Sequence, residues 1–207
     1  MSTPSARPAW YALEGGSWRD YVTLLHPPYT AWHLSYVVIG GCLAPVMAWG
    51  RLGAAVLAFA LAVGIGAHAL DELRGRPLRT AIPSSVLVGL AATSIAGACV
   101  IGVVGAITFE PWLVALVPVG LFLVLAYNLE LLNGSFHSDL WFGLAWGGFP
   151  VVCGYAAVTG DLDDLGAGVG RDLEPGVEIV RGCRWAWRHG RILPAAGHAA
   201  GGRIPTR

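Results

Sequence analysis

Ile82–Thr108 reads IPSSVLVGLAATSIAGACVIGVVGAIT, with no charged residue from end to end. A helix rising about 1.5 Å per residue needs about 20 mostly apolar residues to cross the hydrocarbon layer of a bilayer. This run is longer than that and has no polar face, so it cannot be the half-buried helix of a soluble core. Working outward, Leu52–Leu70 holds no charge and only His68 as a titratable imidazole, and Leu140–Thr159 holds no charge. The chain as a whole is 55% hydrophobic and 13% charged, with mean hydropathy +0.60. Soluble domains carry about 25% charged residues. The fold class is all-α, a polytopic transmembrane helical bundle.

About five spans are expected: Thr30–Trp49, Leu52–Leu70, Pro83–Ile107, Trp112–Leu129 with a kink at Pro118, and Leu140–Thr159. Gly50-Arg51 reads as a tight turn between the first two. Residues 1–29 mix Trp10, Tyr11, Trp18 and Tyr21 with Glu14, Arg19 and Asp20. That pattern suits an interfacial segment stopped at Pro27-Pro28, or a plain leader. Residues 30–159 form the transmembrane domain. Residues 160–207 keep no apolar period, pass from aspartates to arginines, and read as a disordered tail. Arginines cluster at Arg74, Arg76 and Arg79 and at Arg7 and Arg19, against Arg51 alone in the short loops of the other face. By the positive-inside rule the N-terminus and both polar loops are cytoplasmic, most simply in the cell membrane. The formal net charge is +0, which gives no attraction to nucleic acid. Cys42, Cys99 and Cys153 lie in apolar stretches, and no C-x-x-C pair suggests zinc or a disulfide framework.

Chemistry-bearing residues gather at the end of the second span and the start of the loop after it: His68, Asp71, Glu72, Arg74 and Arg76. Spacings of three and four put His68 on the helix face of Asp71 and Glu72. Glu130, His137 and Asp139 belong to the next polar loop on the same side. Carboxylates can hold Mg²⁺, and arginine forks match diphosphate oxygens. The plainer interpretation is that these groups cap helices and set topology.

The run Ala67-His68-Ala69-Leu70-Asp71-Glu72-Leu73-Arg74-Gly75-Arg76-Pro77-Leu78, followed by Ile82-Pro83 and a long apolar span, resembles the UbiA superfamily of intramembrane prenyltransferases. Tyr127-Asn128-Leu129, Gly143-Leu144-Ala145-Trp146-Gly147, Pro150 and Gly154–Gly160 look like that family's fourth-to-fifth span region. The resemblance covers roughly 25–160. It implies the N-terminal part of a UbiA-like bundle acting on isoprenoid diphosphates with Mg²⁺. Asp71 and Glu72 would be catalytic metal ligands, and Arg74, Arg76, Tyr127, Asn128 and His68 would contact substrate. In the family's N-x-x-x-D-x-x-x-D motif, Ala67 and Gly75 stand where Asn and the second Asp are expected. The second Asp-rich motif is absent. The expectation is therefore an incomplete member, truncated or frameshifted near Gly160, with no efficient prenyl transfer. Two other readings stand beside it: a non-catalytic membrane scaffold or lipid-binding protein, and a metal-dependent membrane hydrolase built on His68, His137 and Asp139.

Overall fold

The computed structural model describes residues 9–13, 18–136, 138–163 and 165. Residues 1–8, 14–17 (Glu14 included), 137 (His137), 164 and 166–207, nearly all of the expected tail, lie outside the described residues. Among the described residues, helices α1 Trp18–Leu24 and α2 Pro27–Cys42 precede four longer ones. These are α3 Trp49–Leu73, α4 Ser84–Thr108, α5 Pro111–Asn128 and α6 Asp139–Thr159, each long and apolar enough to cross a membrane. No strand occurs among the described residues.

The breaks follow from backbone chemistry. The short helix α1 ends at Leu24, just before Pro27-Pro28 as expected, and the two prolines also begin α2, because an N-terminal position loses no intrahelical donor. His26 makes the corner in a left-handed conformation with φ 43°. The expected first span to Trp49 is instead a helix of 16 residues ending at Cys42. Pro45 lacks a donor and disfavours helical geometry at Ala44, so the turn falls at 43–48. Trp49, Gly50 and Arg51 then form the first turn of α3, where a tight turn was expected. Residues 111–115 of α5 wind as a 3₁₀ helix. The Pro118 ring would crowd the carbonyl four residues back in a regular α-helix, and that carbonyl belongs to the tighter turn.

Two helices contain a wide π-helical stretch, Ala60–Ala67 in α3 and Gly143–Gly148 in α6. Glycines in the first stretch admit neighbours. A methyl on Gly64 would stand 2.9 Å from Thr30 Cγ2, and one on Gly66 would stand 2.6 Å from Ile95 Cγ1. The closest crossing is between α2 and α6. A methyl on Gly40 would strike the Val151 carbonyl, and one on Gly154 would strike the Val37 carbonyl. Backbone touches backbone there, as small residues permit in membrane bundles.

Both polar loops lie at one end of the bundle. The Ala81 N–H donates to Asp20 Oδ2 at 2.9 Å, and Arg74 Nη2 donates to Glu130 Oε2 at 2.8 Å. At the opposite end Arg51 lies 3.6 Å over the Phe109 ring, and Trp112 Nε1 donates to the Gly160 carbonyl at 2.6 Å.

Candidate functional site

The loop after α3 is held by side chains that sequence reading placed in a metal site. Glu72 is fully buried, which a carboxylate tolerates only with hydrogen-bond partners. Its Oε1 accepts the Thr80 N–H and hydroxyl, both at 2.8 Å, and its Oε2 accepts the Leu78 N–H at 3.0 Å. Arg76 donates to the Ile82 carbonyl at 2.5 Å, the Thr80 carbonyl at 3.4 Å and the Ser84 hydroxyl at 2.8 Å. These bonds close a loop whose Gly75, Arg76 and Arg79 have φ of 95°, 55° and 54°. Left-handed geometry disfavours the two arginines, and the bonds from Glu72 and Arg76 offset that penalty.

Arg74 links the two polar loops. It donates to the Leu129 carbonyl as well as to Glu130. The pair is 43% and 51% exposed, so it contributes no more than about 1 kcal/mol, and its importance is positional. It gathers the ends of α3 and α5. Asp71 thereby lies within electrostatic reach of both Tyr127 and Glu130. Asn128 is buried and donates to the Val124 carbonyl of its own helix at 2.6 Å.

His68 packs against the corner that precedes α2. Its Nδ1 meets the Gly64 carbonyl at 3.1 Å, and its backbone N–H bonds the Ile65 carbonyl three residues back. A carbonyl only accepts, so His68 carries its proton on Nδ1. Its ring stacks on His26, centroids 4.3 Å apart, and the Tyr11 hydroxyl bonds His26 Nδ1. Burial pushes the His26 pKa below its ordinary value, against the smaller opposing pull of Glu72. His33 bonds the Tyr29 carbonyl through Nδ1 at 2.6 Å and lies edge-on to Trp146 at 5.5 Å. Tyr127 also lies edge-on to Trp146, at 5.3 Å.

Beyond Trp146 lies a cavity of about 460 Å³ between α3, α4, α5 and α6. Ala54, Ala55, Ala58 and Ala62 of α3 recur at helical spacing, and their short side chains leave the space open. Phe59, Leu121 and Phe149 are among its larger lining side chains, and Arg51 is its one charged lining residue. Ala54 and Val104, which line it, are exposed on the flank of the bundle. Trp146 lines it while 5% exposed, and its Nε1–H is the one buried side-chain donor or acceptor without a partner among the described residues. An orphaned buried donor of this kind is destabilising by about 1–3 kcal/mol.

The residues implied for Mg²⁺ do not fit it. The described residues contain no group of three His, Cys, Asp or Glu arranged to hold a metal, and three donors already occupy the Glu72 oxygens. Asp139 is exposed in the first turn of α6. The sequence reading missed Asp20, His26, His33 and Trp146. The seven-residue interval between His26 and His33, two helical turns, was one available signal. A tryptophan in mid-span, away from either interface, was another. The chain matches no protein family, no characterised protein and no solved structure.

Proposed function

We propose that this chain is an integral membrane protein that binds a lipid-like, predominantly apolar molecule inside its helical bundle. The observation that carries this reading is the cavity of about 460 Å³, apolar in its lining, between helices long and apolar enough to cross a membrane. Its volume lies within the range of ligand pockets, about 300–1,000 Å³. Positive-inside asymmetry places the N-terminus and the Asp71–Arg79 loop in the cytoplasm, with α2 as a fifth, shorter span. Native mass spectrometry of the protein released from nanodiscs tests the reading. A retained lipid-sized adduct that disappears in Ala58→Phe is the expected outcome; a bare protein under gentle release overturns it.

A second reading, prenyl transfer to an aromatic or lipid acceptor from an isoprenoid diphosphate, rests on the UbiA-like resemblance and on the proximity of Asp71 to Tyr127. It is disfavoured by the engagement of Glu72 and Arg76 in loop closure and of Arg74 with Glu130. Incubation with Mg²⁺, labelled geranylgeranyl diphosphate and a panel of acceptors should give no product. Product lost in Asp71→Ala would establish the enzyme and displace the binding reading.

A further inference from the structure

Arg51 differs from the arginines of the polar loop. Arg74 and Arg76 commit their donors to loop groups, whereas among the described residues no hydrogen bond or ion pair engages the Arg51 side chain. Its guanidinium carbon lies 3.6 Å over the Phe109 ring, and both residues line the cavity. Stacking uses the flat face of the guanidinium and leaves its five N–H donors free in the plane. Gly50 and Thr108 line the same end of the cavity and are exposed. Val63, Val124 and Trp146 line the other end and are buried. Arg51 and Val63 are twelve residues apart on α3, about 18 Å along its axis. The cavity is therefore elongated, with a cation at its exposed end and uncharged, largely apolar side chains at its buried one.

We infer that the cavity takes a single-chain amphiphile with an anionic oxygen head, a carboxylate or a phosphate monoester. Arg51 holds the head, and the tail lies along α3 toward Val63. The inference rests on the binding reading above and adds the ligand's chemical class and direction. An apolar pocket with few placed polar groups uses them to orient its ligand, and a guanidinium fork matches both kinds of oxyanion. A neutral head would leave Arg51 with little beyond its contact to the Phe109 ring, and a cationic head would be repelled. An arginine that only extends its charge to the bilayer surface would draw no tail into the cavity. The head belongs to the end of the bundle opposite the two polar loops.

The test measures binding of isotope-labelled probes to the protein in nanodiscs of zwitterionic lipid, as the excess over empty nanodiscs, at mildly alkaline pH. Four probes share one chain length: palmitic acid, hexadecyl phosphate, hexadecanol and hexadecylamine. The acid or the phosphate should bind about tenfold more tightly than the alcohol, the advantage of a hydrogen bond to a charged group. Whichever anion binds more tightly names the source of the head. Arg51→Gln should abolish the preference while alcohol binding persists, and Arg51→Lys, which keeps the charge without the fork, should retain part of it. Direction is read in the wild-type protein, so it does not depend on any variant folding. A palmitic acid analogue with a diazirine at the tail end should crosslink to peptides containing Val63 or Val124. Crosslinks at Arg51 or Phe109 instead overturn the inference. So does equal binding of acid, phosphate and alcohol, or tightest binding of the amine, and both leave the cavity reading intact. Binding of none of the four removes the cavity reading itself.

Discussion

Glu72 shows how a residue's chemistry depends on what surrounds it. In sequence it stands beside Asp71 as a second carboxylate; in the fold its oxygens hold residues 78–80. Glu72→Ala would strand the Leu78 and Thr80 N–H groups, and we expect a loss of about 3 kcal/mol in thermal or denaturant unfolding in detergent. Glu72→Gln should recover part of this, because its carbonyl oxygen still accepts. An unchanged melt in Glu72→Ala would show that the loop does not depend on the carboxylate. His26 gives a pH-dependent counterpart. Its folded pKa lies below the ordinary 6.5, so the neutral ring is favoured in the folded state. The stabilisation is therefore present above pH 6.5 and is lost as pH falls below it toward the folded pKa. His26→Gln should flatten the acid side of the stability profile between the two values. A wild-type profile that rises on acidification would contradict this.

At the level of elements, length and charge were readable and corners were less so. The apolar run 82–108 foretold α4 almost to the residue, because a span needs nothing beyond hydrophobic length to be recognised. Proline positions were visible too, but their meaning depends on which side of the ring the helix lies. Pro27-Pro28 initiates a helix, whereas Pro45 prevents one. The loop carboxylates and arginines were correctly found at one end, but many of their hydrogen-bond partners are backbone groups of a loop with left-handed residues, which no spacing rule reveals. The contact between α2 and α6 is the element most sensitive to volume. Gly154→Ala should destabilise the bundle by about 1–3 kcal/mol, as overpacking does, whereas Gly53→Ala, with open space around it, should be nearly neutral. Similar melting temperatures for the two variants would show that the crossing relaxes freely.

For the whole molecule, the alternation of helices makes a topological statement that cysteine accessibility can check. In a background lacking native cysteines, Gly75→Cys and Ser135→Cys should label from the same side of the membrane. Gly50→Cys should label from the other. Labelling of Gly75→Cys from outside intact cells would reverse the proposed orientation, and labelling of all three from one side would remove the transmembrane arrangement. The bundle is also anchored differently at its two ends. One end is closed by bonds to carboxylates, the other by Arg51 over Phe109 and Trp112 on Gly160. Salt should therefore loosen the first more than the second.

The wide stretch Ala60–Ala67 has a consequence for how length is tolerated. A π turn accommodates an extra residue without ending the helix, so deleting one residue there would leave α3 continuous and apolar. Because the wide turn closes i→i+5 bonds where an α turn closes i→i+4, the stretch would relax to an ordinary α turn and everything downstream would keep nearly its direction around the helix axis. The histidine beneath His26, the carboxylate beside Tyr127 and the one that clasps Thr80 would keep their neighbours, whereas the same deletion in the regular part of α3 would turn them by about 100°. Relatives of this protein could therefore differ in length by one residue at this point while holding those three side chains in place.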